Sequence, residues 1–377
     1  MAYCRFGLYK LSAGLTGLSD KLQQVRGRID ALDDQIQSLI SERARCAVEV
    51  AQIKHDAGDD AQFYRPEREA QVLRRIQAQN QGPLADDEIA RLFREIMSAC
   101  LALEQPLKVA VLGPEGTFTH AAALKHFGHS VRVLPEKNIE AIFRAVESGA
   151  AQYGVVPVEN STEGAVNRSL DLFVGSPLQI CGEVKLRIRC HLLGDSEKDL
   201  AAVTHVYAHE QLLAQCRGWL AAHLPNAAQV AVSSNAEAAR QIKGSAHAVA
   251  IAGEMAVQRY ALKVLAESIE DEAQNTTRFA IIGEQGTHAS GCDKTSLLLS
   301  APNRPGALSR LLRPFERCGI SLTRIESRPS RRERWDYLFF IDIAGHVDDA
   351  KVAEALAELG KESVMVKVLG SYPCAVL

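Results

Sequence analysis

Residues 22–53 read LQQVRGRIDALDDQIQSLISERARCAVEVAQI. Leu22, Val25, Ile29, Leu32, Ile36 and Leu39 recur at steps of three and four, and Cys46, Val50 and Ile53 resume the rhythm. Such spacing gives a helix an apolar seam. Position 43, the slot that joins the two runs, holds arginine. An unpaired buried charge is costly, so Arg43 is either paired within the core or placed to meet an anion. Lys54 follows eleven residues later; eleven steps of about 100° return to almost the same face, about 16 Å along the axis. Arg26 precedes Arg43 by seventeen residues and points about 100° away. Taken singly, Arg26 and Lys54 are ordinary solvated charges. With Arg43 they place two cations on one wall of the helix and a third on another. The pattern from Asp20 to about Ala57 predicts a helix of about 55 Å, longer than one compact domain covers. A helix from a second copy of the chain is the expected cover, with Arg26 serving the partner's pocket and Arg43 and Lys54 serving their own.

At 377 residues, 47% of them apolar, the chain has material for two or three domains with sizeable cores. Its net charge of −3 gives no basis for nucleic-acid or membrane-surface binding. The nine cysteines lack CxxC pairs or His/Cys metal spacing, which predicts reduced thiols in a cytosolic enzyme and no zinc site. No stretch is long and apolar enough to span a membrane. Residues 1–19 lack a continuous apolar core and a cleavage site, and are expected to form a disordered tail.

Three blocks follow. From Asp20 to about Gln105 everything reads as helix: the long one, a second opened by Pro66 and running through Gln79, and a third from Asp86. Proline suits a first turn, and Asp86, Asp87 and Glu88 complement the positive end of the third helix. Its stripe of Ile89, Leu92, Phe93, Ile96 and Cys100 is expected to pack on the first two. From Leu107 the rhythm becomes strand, loop, helix. Strands are predicted at 108–113, 131–135 and 153–160, with helices at His120–Phe127 and Ile139–Ser148. Further strands fall at 205–209, 229–233 and 247–253, with helices at Glu210–His223 and Glu237–Lys243. This alternation predicts an α/β sheet in two lobes. The last block, Lys294–Leu369, reads strand, helix Ala307–Arg317, two strands, helix Asp348–Leu359, strand. That order is the ferredoxin-like split βαβ unit.

The loops hold the remaining chemistry. GPEGTF (113–118) follows a strand and opens a helix, so its N–H groups could meet an anion, although a plain tight turn reads the same way. It lacks the Gly-Lys-Ser/Thr ending of a phosphate loop and the G-x-G-x-x-G spacing of a dinucleotide site. VVPVENSTEG (155–164) sets Glu159, Asn160, Ser161 and Thr162 at a strand end, where open α/β sheets bind ligands. Thr276-Thr277-Arg278-Phe279 precedes the strand predicted at 279–283. Asn303-Arg304-Pro305-Gly306 is a turn feeding a helix, with a glycine that lets a ligand approach the backbone.

Over roughly Asp20 to Tyr372 the arrangement resembles the bifunctional chorismate mutase–prephenate dehydratases. The mutase block matches in VRGRIDALDDQI (25–36), SERARCAVEVAQIK (41–54), RPERE (65–69) and LFREIMSACLALEQ (92–105). The dehydratase block matches in GPEGTFTHAAA (113–123), VENSTEGAVNRSLDLF (158–173), SNAEAA (234–239), IAGEMA (251–256) and NTTRFAIIG (275–283). PNRPGALSRLL (302–312) and ESRPSRRERWDYLFFIDIAGH (326–346) resemble an ACT regulatory domain. The resemblance implies an all-α mutase domain over 20–105 and a two-lobed, periplasmic-binding-protein-like α/β dehydratase domain over 107–285. A ferredoxin-like α+β ACT domain follows over 294–372.

Chorismate rearranges in one unimolecular pericyclic step. An enzyme helps by holding the compact conformer and stabilising charge on the ether oxygen, with no cofactor or metal. By resemblance, Arg26 (across a dimer) and Arg43 grip the substrate carboxylates, and Lys54 reaches the ether oxygen. Arg68 and Glu69 shape the pocket and bind the ring hydroxyl. Two positions depart from the family pattern. Arg65 stands where some members have aspartate, and Glu104 where some have a glutamine that donates to the ether oxygen. An ionised glutamate cannot donate, so Glu104 is expected to work protonated, its pKa raised by burial against the opposing pull of Lys54.

Prephenate loses water and carbon dioxide together, and the leaving hydroxyl needs a proton or a strong donor. By resemblance Thr277 is that donor and Arg278 anchors the carboxylate that is kept. Glu159, Asn160, Ser161, Thr162, Ser233, Ser234, Asn235 and Phe279 line the cleft. For each serine or threonine, helix capping is the rival role, and His209 is expected to be structural. The ACT resemblance implies phenylalanine as an inhibitor, bound between two paired ACT domains at Gly306-Ala307-Leu308 and Glu326-Ser327-Arg328-Pro329. A homodimer or larger assembly in the cytoplasm is implied as well. The alternatives are a solute-binding module without catalysis and a sensor scaffold with decayed sites.

Overall fold

The computed structural model describes residues 6–56, 64–197, 199–301, 304–329 and 337–377. Asn303, residues 1–5 of the expected tail, and residues 330–336 of the last matched motif lie outside the described residues. Two compact units form, one holding α1 (Phe6–Asp56) with residues 103–105, the other residues 64–102 and 106–377.

Helix α1 spans 51 residues, about 75 Å. It begins at Phe6, so most of the expected tail is helical. No proline interrupts residues 6–19. In the single chain the seam is uncovered, with Leu22 52%, Leu39 64% and Ile53 61% exposed.

In the second unit, Pro66 occupies the first turn of α2 (Pro66–Gln79). Asn80 Nδ2 donates to Leu84 O at 2.8 Å and to Asp86 Oδ1 at 2.7 Å, shaping the turn into α3 (Asp86–Glu104). The buried face of α3 is Ala90, Arg94, Ser98 and Cys100; of the expected stripe it shares Cys100, while Ile89, Phe93 and Ile96 are half-buried and Leu92 is 42% exposed. Small residues let this face approach the α/β lobe closely. A Cβ added at Gly128 would lie 2.5 Å from Ser98 Cβ, and Gly128 holds a φ of +78°, a region that L side chains rarely enter.

The first lobe comprises β1 (Lys108–Leu112), α4 (Phe118–Phe127), β2 (Arg132–Glu136), α5 (Ile139–Glu147), β3 (Tyr153–Asn160), β4 (Gly164–Ala165), α6 (Asn167–Gly175) and β5 (Gln179–Arg187). The chain then builds the second lobe from β6 (His191–Gly194), β7 (His205–Ala208), α7 (Glu210–Gln215), α8 (Arg217–His223), β8 (Ala228–Ala231), α9 (Asn235–Gln241), β9 (Ala248–Ala252), α10 (Glu254–Tyr260) and β10 (Lys263–Ala266). It returns to the first lobe as β11 (Thr276–Gly283). The sheets run β2-β1-β3-β11-β5, with β4 on β3, and β10-β6-β9-β7-β8. Two segments therefore cross between the lobes, and they pair: Ile188 N donates to Asn275 O and Ile269 N to Cys190 O, both at 2.8 Å. The helix predicted over Glu210–His223 breaks at Cys216 (φ −114°, ψ 16°).

The C-terminal domain is β12 (Asp293–Ala301), α11 (Ala307–Arg317), β13 (Leu322–Pro329), β14 (Tyr337–Ala344), α12 (Ala350–Glu362) and β15 (Met365–Pro373), with antiparallel order β13-β14-β12-β15. Leu297, Leu299, Ile341 and Ile343 pack under its helices against Leu311, Phe315 and Leu359. The other face carries Leu298, Phe340, Leu369 and Tyr372, which join the first lobe's core of Ile142, Phe173, Ile180 and Ala280. At Gly370 the backbones meet so closely that a Cβ would stand 2.0 Å from Ile180 O.

Candidate active sites

On α1, Arg26 and Arg43 are exposed and Lys54 is half-buried. Arg43 forms no ion pair among the described residues. Glu104 belongs to the same compact unit, and its Oε2 is buried without a hydrogen-bond partner. Burial raises the pKa of Glu104, while Lys54 and, more weakly, Arg43 pull it down. The expected direction is therefore present, and so is the opposition from Lys54. Arg26 lies about 25 Å along the helix from Arg43. Arg68 and Glu69 fall in the other unit. Arg68 is exposed on α2. Glu69 Oε1 accepts from Arg94 Nε at 3.0 Å, and Arg94 Nη1 donates on to Lys125 O at 2.9 Å. Burial lifts the Glu69 pKa, with Arg94 opposing. Arg65 is exposed at the N-cap of α2 and makes no side-chain cap bond.

The second constellation sits where β3 and β11 end together, in register Thr277 to Asn160 and Arg278 to Glu159. Asn160 Nδ2 donates to Thr277 Oγ1 at 2.9 Å and to Asn275 Oδ1 at 2.8 Å. Its Oδ1 accepts from the N–H groups of Thr162 (3.0 Å) and Glu163 (3.1 Å). Ser161 Oγ accepts from Thr276 N at 2.9 Å. Thr277 is buried and only accepts in these bonds, which leaves its hydroxyl hydrogen to donate elsewhere.

Two bridges link the lobes. Gln211 Nε2 and Gln215 Nε2 donate to the Glu163 carboxylate at 2.6 and 2.8 Å. Arg259 Nε meets Glu115 Oε2 at 2.7 Å, and Tyr260 Oη donates to Glu115 O at 2.9 Å. In the GPEGTF loop, Gly116 N donates to His120 Nδ1 at 3.1 Å. Burial lowers the His120 pKa, and because Nδ1 accepts from Gly116 N the neutral ring carries its proton on Nε2.

Several expected lining residues hold other posts. The TTRF segment is the first half of β11 rather than a loop before it. Phe279 sits one pleat deeper than Thr277, 2% exposed in the core with Val109, Val155 and Val184. Arg278 meets three protein acids: Nε to Glu159 at 3.2 Å, Nη1 to Glu183 at 3.2 Å and Nη2 to Asp342 at 2.7 Å. Two of its five N–H groups take no part in these bonds. Ser234 caps α9 by accepting from Glu237 N at 3.1 Å. Ser233 is exposed, and Asn235 Oδ1 accepts from His209 N at 2.9 Å. His209 caps α7, a structural post.

In the C-terminal domain Gly306 adopts φ +75° at the N-cap of α11, ahead of Ala307 and Leu308. Leu308 edges an open groove shared with Leu312, Arg313, Ile320 and Leu322. Glu326, Ser327, Arg328 and Pro329 lie on edge strand β13 with alternate side chains exposed. Arg328 Nη1 is held by Asp171 Oδ1 at 2.8 Å and Asn167 O at 2.5 Å.

Comparison with known proteins places these sites in a family. Residues 25–105 match chorismate mutase type II, 109–287 match prephenate dehydratase, and 295–361 match the ACT domain. A bifunctional chorismate mutase/prephenate dehydratase from Stutzerimonas stutzeri is 58% identical over 95% of this chain and 99% of its own length. The chain belongs to the bifunctional chorismate mutase/prephenate dehydratases. A second such enzyme, from Pseudomonas aeruginosa, is 56% identical over the same shares. Among solved structures, the prephenate dehydratase of Arthrobacter aurescens in complex with L-Phe is 36% identical, with a TM-score of 0.66 over 71% of this chain and 90% of that one. The Staphylococcus aureus prephenate dehydratase is 26% identical, with a TM-score of 0.62 over 71% and 100%.

A bifunctional enzyme of this family converts chorismate to prephenate and prephenate to phenylpyruvate, in phenylalanine biosynthesis. The relatives give no support to a silent solute-binding module or sensor. Sequence reasoning missed Glu163, Gln211 and Gln215, whose only signal was polarity. It also missed Glu183, Lys294 and Asp342, charged residues within strands. Among the described residues no His, Cys, Asp or Glu cluster could hold a metal ion, and no helix is long and apolar enough to cross a membrane.

Proposed function

We propose that the mutase reaction runs on the α1 seam of a homodimer, and that the dehydratase reaction runs at the Thr277–Asn160 pair. In the first site Arg43 grips a chorismate carboxylate and a second copy supplies Arg26. Lys54 and protonated Glu104 donate to the ether oxygen as negative charge develops there. This is supported by the exposed seam, by Arg43 with no salt bridge among the described residues, and by the Glu104 oxygen that has no hydrogen-bond partner. Arg68 keeps its mutase role by family resemblance alone, while Glu69 fixes α2 to α3 through Arg94.

In the second site Thr277 donates to the leaving hydroxyl of prephenate. Asn160 holds the threonine oxygen so that its hydrogen points into the cleft. That hydrogen bond is the observation that carries the reading. Glu159 and Thr162 support the pair from beside it, and closure by Glu163 and Glu115 excludes water. Phenylalanine binds the ACT domain at Gly306–Leu308 and Glu326–Pro329 and slows dehydration. The free thiols suit a cytosolic enzyme.

The test is to supply purified protein with chorismate and follow prephenate and phenylpyruvate together. Thr277→Ala should lower dehydratase turnover by about 100-fold, the lower range for one positioned donor, with mutase turnover intact. Equal loss of both activities would point to misfolding and reject the assignment.

A further inference from the structure

Behind the Thr277–Asn160 pair lies a cluster of six charges, three cations and three carboxylates. The first lobe contributes Glu159, Glu183 and Arg278, and the C-terminal domain contributes Lys294, Arg324 and Asp342. Lys294 Nζ meets Glu183 Oε2 at 2.7 Å, and Arg324 Nε meets Glu159 Oε2 at 3.4 Å. Arg278 touches all three acids. Its shortest bond goes to Asp342, whose other oxygen accepts from Ser296 Oγ at 2.6 Å. Asp342 and Glu183 are 3% and 4% exposed. Burial works against the Arg278 charge, but Asp342, Tyr372, Glu183 and Glu159 outweigh it and hold the guanidinium above its ordinary range.

Arg278 and Glu159 are the chain neighbours of Thr277 and Asn160. The β3–β11 register slips just beyond them, with Val158 as the extra residue on β3. The bulge interrupts the ladder on the β3 side only, while β11 keeps unbroken register with β5 from Thr276 to Ile281, so what the side-chain anchors help to set is the seat of β11 against β3. We propose that Asp342, on β14 of the C-terminal domain, is a positioning residue for dehydration: by holding Arg278 Nη2 it fixes the start of β11 and sets the Thr277 hydroxyl against Asn160. The C-terminal domain then contributes to turnover even without an effector. This rests on the reading of Thr277 and Asn160 as the dehydratase centre.

The test uses the full chain and the near-isosteric Asp342→Asn, with Asn160→Ala and the double variant completing a cycle. Asp342→Asn should lower dehydratase kcat about tenfold, since a small misplacement of a reacting group is costly. KM should stay within about threefold and mutase turnover should not change. In the Asn160→Ala background, where the pair is already broken, Asp342→Asn should add little, because residues acting through one element are non-additive. Asp342→Glu, which keeps the charge, should recover part of the rate. Should Asp342→Asn fold poorly, Ser296→Ala removes a support of Asp342 without changing charge, and the same non-additivity with Asn160→Ala decides. Fully additive losses, or a lower melting temperature with unchanged kcat, would overturn the proposal. A wild-type rate in Asn160→Ala would instead reject the centre itself.

Discussion

Along α1, Arg43 lies exposed in a seam of leucines and isoleucines, with no ion pair among the described residues. Arg278, by contrast, is enclosed by Glu159, Glu183 and Asp342. Both arginines sit in motifs that resemble substrate-binding segments. The difference lies in what surrounds them. An arginine that meets three carboxylates, two of them buried, holds a fold together, and one facing an uncovered apolar wall is available to an anion. Motif membership alone does not separate the two cases; the partner inventory does.

The sharpest way to break this contrast is to replace each guanidinium with methionine. Arg278→Met would leave three acids facing two cations and should cost about 3–5 kcal/mol of stability, read by denaturant unfolding. A variant that unfolds like the wild type and loses only dehydration would make Arg278 a substrate ligand after all. Arg43→Met should leave unfolding within about 0.5 kcal/mol and lower mutase turnover by about 10²–10³. Loss of stability there would mean that the seam arginine is a structural residue.

A pH profile sharpens the same comparison. The Glu104 pKa is raised, so the protonated, donating form persists above the ordinary carboxylate range and disappears as pH rises through the shifted value. Mutase kcat should therefore fall with rising pH, and Glu104→Gln should give a flat profile. A flat wild-type curve would remove Glu104 from the reaction. The smallest effect is expected at the cleft bridge. Glu163→Ala forfeits the bonds from Gln211 and Gln215 and should raise the prephenate KM about threefold, with mutase kinetics as the internal control.

Much of the architecture was legible because apolar spacing reports elements directly. The strand predicted at 153–160 and the helix at Ala307–Arg317 match the observed β3 and α11. The reading failed where a residue's partner is remote or its element short. Strand β5, QICGEVKLR, went unseen because Glu183 interrupts its apolar run, and that acid is there for Arg278 and Lys294. Strand β6 has only four residues. The acids that occupy Arg278 lie 64, 95 and 119 positions away in the chain, beyond the reach of any local pattern. Arg43 was easier to find, because a charge inside an apolar seam announces itself, whereas Glu104 came only through the family resemblance.

The bare backbone at Gly370 carries a consequence for how such enzymes can be assembled from parts. Because β15 lies directly against the carbonyl of Ile180, the C-terminal domain is not an appendage on a tether that could be exchanged at will. A donor module with any side chain at that spot would be wedged off the catalytic lobe, so transplanting regulation between relatives means transplanting the seat along with the sensor.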